Sequence, residues 1–319
     1  MNKSTLIFGI DISKDTFDVY NVESGHKQYG NTDGGIRAFA KALPEGALCV
    51  MEATGCYHHR LALELHDRTI SLSVVNPLVI KRYTQMKLRR VKTDKSDAFM
   101  IYSYGCEQEL DLWKPDAEYV VRGRELLSLL QMYLKQSTGL KNKLHALESV
   151  HTKRSRAIVS INRQLRNLKK ECRLLEDELT ALIKENEASL FARLKTIPGI
   201  GDKTAILLML STNCFKDFAS YKQVSSFLGL APNERSSGSS IRGRSRISKT
   251  GDGLVRNHLF MCSFTACVYN AQCKVLFDRI VAKGKSKKLA LIAVCNKLIK
   301  QAFAIAKSGL CYDPEYAVK

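Results

Sequence analysis

The stretch Thr5–Val22, TLIFGIDISKDTFDVYNV, decides the fold of the N-terminal part of the chain. Its two halves, TLIFGID and TFDVYNV, are rich in β-branched and aromatic residues. The polar Ile12-Ser13-Lys14-Asp15 interrupts them, so the pattern predicts a hairpin. A third short strand is expected over His26 to Gly30. Thr32-Asp33 then offers a helix N-cap, and Ile36, Phe39, Ala40 and Leu43 recur at helical spacing until Pro44. A buried strand over Ala47 to Ala53, a helix from Tyr57 to Asp67 and a strand beginning at Ser71 (SLSVVNP) follow, and then basic sequence from Lys81 to Lys92. The expected order is β-β-β-α-β-α-β-α.

Three successive strands followed by alternating helices and strands suit a mixed sheet with helices on its faces, the order of an RNase H-like domain. That order locates the acids. Asp11 stands at the end of a strand in FGID, Glu52 closes another in VMEATG, and Asp94 and Asp97 in KTDKSDA share one helix face at i,i+3 spacing. Hard divalent cations take oxygen ligands, and a pair of them can hold both the attacking and the leaving oxygen of a phosphoryl transfer. Each acid alone also has an ordinary structural role open to it: Asp11 capping a turn, Glu52 pairing with a lysine, Asp94 starting a helix.

The 319 residues, 45% of them hydrophobic, suffice for more than one core. Fifty Lys and Arg against 31 Asp and Glu leave a formal charge of +19, which favours a polyanionic partner, nucleic acid before membrane. Ten cysteines, at 49, 56, 106, 172, 214, 262, 267, 273, 295 and 311, form no CxxC pair and read as reduced core residues. Cys56, His58, His59 and His66 are close in sequence, but the second ligand pair of a zinc site is missing. No signal peptide and no apolar run of membrane-spanning length is evident, so no membrane partner and a cytoplasmic location are expected.

From Ala117 to Glu187 the periodicity turns helical. Leu126, Leu127, Leu130, Leu134, Leu140, Leu144 and Leu147 mark one apolar face. Ile158, Ile161, Leu165, Leu168, Cys172, Leu175, Leu179 and Leu182 step by threes and fours, the a/d pattern of a coiled coil. A long helical hairpin is expected, packed on itself or between protomers. Arg163, Arg166, Lys169, Lys170 and Arg173 lie off the seam, as a solvated face or as phosphate contacts.

In the C-terminal part, Ile197-Pro198-Gly199-Ile200-Gly201 resembles a helix-hairpin-helix turn between a helix ending near Lys195 and one starting at Asp202. Amides at such a helix N-terminus can hold a phosphate without reading bases, with Gly199, Gly201 and Lys203 as the contacts. The Gly-, Ser- and Arg-rich segment from Asn233 to Gly253 reads as a loop, open to interpretation as a flexible basic linker. Lys283, Lys285, Lys287 and Lys288 form a further basic patch, for backbone contact or mere solubility. Trp113 and tyrosines 102, 104, 119, 133 and 221 can stack on bases, though core packing is their commoner use.

Taken together, GIDISKDTFDV, EATGCY, VVNP and KTDKSDA resemble the DEDD-type insertion-sequence transposases, the family that includes the Piv DNA invertase. The resemblance continues through TIPGIGDKTA, SFLGLAPNERSSGSSIRGRSRISKTGDGLVR and KLIKQAFAIAKSGLCYDP, and so covers nearly the whole chain. It implies an RNase H-like (RuvC-like) domain in which Asp11, Glu52, Asp94 and Asp97 match the four motif acids that bind Mg2+, as two ions, with Mn2+ as a substitute. It also implies that the serine of a Ser-Gly-x4-Gly motif, met by Ser237, Gly238 and Gly243, becomes covalently joined to DNA. Some members take a structured bridge RNA as guide. Arg242, Arg244, Arg246 and Lys249 beside the serine can neutralise a phosphate, and a serine hydroxyl needs such help. Ser236, Ser239 and Ser240 are neighbouring alternatives.

The expected whole is an α/β plus all-α protein: residues 1–112 RNase H-like, 113–188 a helical coiled-coil region, and 189–319 a mainly α domain bearing the hairpin turn and the serine segment. The expected activity is site-specific DNA recombination on donor and target sites by a homodimer or homotetramer acting at the nucleoid. Two rivals are a RuvC-like nuclease or junction resolvase that uses water, and a non-catalytic nucleic-acid-binding protein.

Overall fold

A computed structural model describes residues 6–88, 93–150, 155–233, 236–237, 241–242, 246–248 and 250–315. The chain divides into two compact units, Met1–Pro115 and Asp116–Lys319.

In the first unit, β1 (Ile7–Ile12), β2 (Thr16–Asn21) and β3 (Gly25–Gly30) form an antiparallel meander. The chain then continues through α1 (Asp33–Ala42), β4 (Leu48–Glu52), α2 (His58–Asp67), β5 (Ser71–Val75), α3 (Pro77–Met86) and α4 (Asp94–Glu107). The five strands are ordered β3-β2-β1-β4-β5, with β4 parallel to both β1 and β5. This mixed sheet is compatible with an RNase H-like α/β fold, as the strand order in the sequence predicts. Alternate residues of a strand face opposite sides. Phe8, Ile10, Ile12, Cys49 and Met51 therefore pack with Ile36 and Phe39 of α1 and Leu61 and Leu65 of α2 in one core. On the other face Val50 and Val75 meet Ile80 of α3 and Ile101 of α4.

Helix α3 begins before, and runs into, the stretch from Lys81 that the sequence reading leaves as basic sequence. Asn76 caps it by accepting from Leu78 N at 2.9 Å, and Pro77 takes the first turn, where its missing N–H costs nothing. Ile80 packs against Val50 and Val75 of the sheet and Tyr83 edges Tyr104 of α4, while Lys81 and Arg82 are exposed.

The second unit opens with α5 (Glu118–Val150) and α6 (Arg156–Lys195), which pack against each other as the predicted hairpin. Along α6 every seam residue from Ile158 to Leu182 is buried or half-buried. On α5 Leu126, Leu127, Leu130, Tyr133, Ser137, Leu140, Leu144 and Leu147 are among the buried or half-buried positions, whereas Leu134 is 48% exposed and lies off the seam. The hairpin root is tied by Arg122 to Glu178 at 2.6 Å and by Tyr119 Oη donating to Glu187 at 2.9 Å. Beyond it come α7 (Asp202–Ser211), a short 3-10 turn (Asn213–Phe215), α8 (Tyr221–Phe227), α9 (Gly253–Tyr269), α10 (Ala271–Ala282) and α11 (Lys287–Ser308). Among the described residues α11 alone is long and apolar enough to cross a membrane by composition, where the sequence reading expects no such run. It is nevertheless a core helix: Ala290, Val294, Cys295, Leu298, Ile299 and Ala302 are fully buried against the rest of the unit.

All ten cysteines are free thiols. Cys49, Cys214, Cys273 and Cys295 are buried, and burial pushes the Cys273 and Cys295 thiols up to about 12, which keeps them protonated and inert. The expectation of core placement fails for Cys56, Cys106 and Cys311, which are exposed. Each stands in a loop or on the water-facing side of a helix, a distinction that composition cannot make.

Gly9 gives a direct test of the packing. A Cβ there would fall on the amide of Tyr102 and the carbonyl of Ala98, both backbone atoms of α4, whereas nothing lies within 4 Å of the corresponding position at Gly34 in α1. Gly9→Ala is expected to lower the urea midpoint by more than about 2 kcal/mol equivalent. Gly34→Ala should leave it unchanged or raise it slightly.

Candidate functional site

Asp11 lies on β1 on the α4 side of the sheet, because Ile10 and Ile12 take the opposite face. The parallel β1/β4 register runs Gly9 to Val50 and Ile10 to Met51, so the next rung places Asp11 beside Glu52. Neighbouring strands are about 4.8 Å apart. Both carboxylates are half-buried and engaged in polar interactions.

Helix α4 runs antiparallel to β1. Gly105 sits against the Val50 and Ile7 side chains, and one step along the strand Gly9 sits against Ala98 and Tyr102. Two strand residues advance about 6.6 Å, which is four to five helical residues at about 1.5 Å each. The further step from Gly9 to Asp11 therefore reaches the first turn of α4, where Asp94 and Asp97 stand. That turn is fixed by a capping box: Ser96 N donates to Thr93 Oγ1 at 3.2 Å and Thr93 N donates to Ser96 Oγ at 2.9 Å. Asp97 is half-buried and also partnered. The side chain of Asp94 lies outside the described residues. Among the described residues no three His, Cys, Asp or Glu side chains gather closely enough to hold a metal ion, which covers Asp11, Glu52 and Asp97 and also the Cys56–His66 group.

Two residues that the sequence reading passed over stand near these elements, and one of them, Asp18, belongs to the same face. Asp18 pairs with Asp11 across the β1/β2 ladder, is buried, and is held by His26 Nε2 at 2.6 Å and Gln28 Nε2 at 3.2 Å. The alternation of TFDVYN carries this signal, since Asp18 has the same parity as Tyr20 and faces α4 with it. Asn31 ties the turn after β1 to the turn before α2, donating to Ser13 O at 2.9 Å and Tyr57 O at 3.4 Å.

The segment read as a loop from Asn233 contains paired strands. Strands β6 (Pro232–Asn233) and β9 (Arg246–Ile247) pair antiparallel, as do β7 (Ser236–Ser237) and β8 (Ile241–Arg242). Loop composition hid this because glycine and serine carry almost no strand signal. Ser237 is opposite Ile241, on the rung next to the residues that connect the two strands. Gly238, Gly243, Arg244 and Lys249, with the alternatives Ser239 and Ser240, lie outside the described residues, as do the side chains of Ser237, Ser236 and Arg242. Arg246 is exposed on β9. The ribbon's base is closely packed: Gly229, at φ +71°, packs on Gly251 N, Arg256 Nη1 donates to Leu228 O at 2.9 Å, and Asn296 of α11 donates to Leu230 O at 3.3 Å.

The turn between α6 and α7 is where the sequence predicts it. Ile197 and Ile200 are buried, and Gly199, at φ +108°, packs against Ala266 and Cys262 of α9, leaving no room for a Cβ. Gly201 caps α7 with open space around its Cα. Lys203 pairs with Glu176 at 2.5 Å and Lys195 with Asp202 at 2.7 Å, so the cations flanking this turn are already paired. Lys283, Lys285, Lys287 and Lys288 are exposed between α10 and α11. The aromatic residues pack instead of standing free: Trp113 edges His66 at 6.0 Å, Tyr102 edges Tyr20 at 5.3 Å, Tyr104 edges Tyr83 at 5.3 Å, Tyr133 lies in the hairpin seam and Lys300 covers Tyr221 at 5.3 Å.

His58 sits where the chain leaves β4 for α2, buried and stacked on His59 with ring centroids 4.3 Å apart. Burial first, and the His59 charge second, push its pKa below the usual histidine value. The folded state therefore holds His58 neutral while the unfolded chain protonates below about pH 6.5, so the unfolded state binds more protons there. Stability is expected to fall as pH drops through that value. His58→Gln should flatten this dependence in thermal melts between pH 5 and 7.5.

Two family models match the chain. One, for transposases of DEDD type named for IS110, covers residues 8–152, and one for the transposase IS116/IS110/IS902 family covers residues 191–277. The chain is 30% identical over 326 residues to a pilin gene-inverting protein of Moraxella bovis, spanning 97% of this chain and 98% of that one. It is also 24% identical over 338 residues to the transposase for insertion sequence element IS1111A of Coxiella burnetii, spanning 92% of this chain and 88% of that one.

Proposed function

We propose that this chain, which belongs to the IS110 family of DEDD transposases and DNA invertases and is thus a DNA recombinase, cuts and rejoins strands through Ser237 with the help of carboxylate-held divalent ions. Family membership implies dependence on a divalent metal. The observation that carries the reading is the shared face on which Asp11, Glu52 and the first turn of α4 meet.

A carboxylate set suits a hard ion such as Mg2+, two of which we assign to Asp11, Glu52, Asp94 and Asp97, with Mn2+ as a substitute. Bound there, such ions supply positive charge at a phosphate and polarise its P–O bonds. Asp18, locked by His26 and Gln28, positions the β1/β2 face beside them.

In the reaction we assign, Ser237 Oγ forms a bond to phosphorus and loses its proton to solvent, while one bridging P–O bond breaks and frees a deoxyribose hydroxyl. The phosphodiester energy stays in the phosphoserine, so the reverse attack by a DNA hydroxyl rejoins strands without another energy source. Arg242, Arg244, Arg246 and Lys249 neutralise the phosphate at the serine, with Gly238 and Gly243 letting the backbone approach. Gly199 and Gly201 hold a phosphate farther along the DNA, and Lys203 joins them by exchanging its pairing with Glu176 for that phosphate. The acids and the serine belong to different units, and we assign their meeting to a dimer or tetramer, so that cutting waits for assembly. Functionally, residues 1–112, 113–188 and 189–319 divide the work into ion holding, helical assembly and serine chemistry. A structured bridge RNA selects donor and target DNA at the nucleoid. Inversion, the reaction named for the Moraxella relative, and insertion use the same strand chemistry.

Denaturing electrophoresis of reactions on labelled donor DNA tests this. Wild type is expected to give a protein-DNA adduct, absent with Ser237→Ala and in EDTA, and Asp11→Asn should cut the rate by at least about 100-fold. An adduct with Ser237→Ala refutes the serine. Cleavage without any adduct assigns the attack to water.

A further inference from the structure

The helical hairpin of α5 and α6 is divided by charge along its length. Its root, residues 116–134 and 174–195, carries eight acids and five Lys or Arg, whereas the span 135–173 carries eleven Lys or Arg and two acids. The division is also one of pairing. At the root Glu176 is paired with Lys203, Glu178 with Arg122 and Glu187 with Lys216. Among the described residues Arg163, Arg166, Lys169, Lys170 and Arg173 have no ion-pair partner, and all five are exposed.

These five cations are also arranged. At about 100° per residue they fall in an arc of about 120° beside the seam, and Glu171, the one acid of this stretch of α6, lies on the other flank. They extend over about 15 Å of helix, close to two Debye lengths in physiological salt, so they repel one another in the free protein. A solvated helix surface is ordinarily laced with i,i+4 pairs of opposite sign. Of these five only Arg173 has an acid four residues on, Asp177, and no ion pair forms there; the ligand that relieves the repulsion is a regular row of negative charges.

We propose that the distal half of the α5–α6 hairpin is an arm that binds a phosphodiester backbone, with Arg163, Arg166, Lys169, Lys170 and Arg173 as its contact face, and that the neutralised root is excluded from this contact. Phosphates along one strand are spaced so that the 15 Å face meets about three of them, without base readout. The inference does not rest on Ser237 or on the metal ions.

The test uses the full chain in EDTA, which removes chemistry, with a 30-base-pair DNA duplex and an RNA stem-loop of equal length as separate probes. Binding is followed across salt concentrations for wild type, for R163Q/R166Q/K169Q/K170Q/R173Q, and for the charge-keeping R163K/R166K/R173K. Glutamine keeps helix propensity, so the thermal midpoint should hold. The glutamine variant is expected to weaken binding and to reduce the slope of log K against log salt by about 2 to 3, with the lysine variant like wild type. A change confined to the duplex assigns the arm to DNA, and one confined to the stem-loop assigns it to RNA. An unchanged slope for both probes overturns the proposal. Should the glutamine variant melt early, R166Q/K170Q is to give about half the loss of slope, and no loss there also overturns it.

Discussion

The close seat of α4 on β1 is the constraint from which the candidate site follows. Gly9 lets the backbone of Ala98 and Tyr102 lie directly on the strand, and Gly105 admits the Ile7 and Val50 side chains. Any side chain at residue 9 would lift the helix. Because α4 runs against β1, the same contact that fills the core carries the start of the helix to the level of Asp11 and Glu52. The capping box at Thr93 and Ser96 then holds that start in place, without depending on any bound group.

Much of this was legible in the residues. Period-two alternation in TLIFGID and TFDVYN, the Thr32 cap and the Pro44 stop define the strands and helices of the first unit, because each element buries one face and exposes the other. The a/d steps of α6 held for the same reason. On α5 the leucines misled: Leu134 is apolar yet off the seam, while Tyr133 and Ser137 keep the period. Spacing carried more information there than residue type.

What stayed hidden was decided by partners distant in sequence. Asp18 reads as one acid among many until the β1/β2 register sets it opposite Asp11 and His26 closes on it. The strands at Ser236 and Ile241 are held by backbone pairing, which leaves no side-chain pattern. Helix α3 was within reach, since Asn76-Pro77 is a cap signal, but its lysine and arginine masked the buried Ile80 and Tyr83. The exposed Cys56, Cys106 and Cys311 show the limit of reading burial from residue type.

The central claim is that Asp11, Glu52 and the carboxylates of α4 act together on one divalent-ion site. Titration of Mn2+ into the protein, followed by electron paramagnetic resonance, measures this most directly, because the free-ion signal disappears as the ion is bound. Saturable binding that Mg2+ displaces, and that Glu52→Gln and Asp97→Asn each abolish in protein of unchanged melting temperature, is the predicted result. Binding that survives either substitution at wild-type affinity would contradict the account.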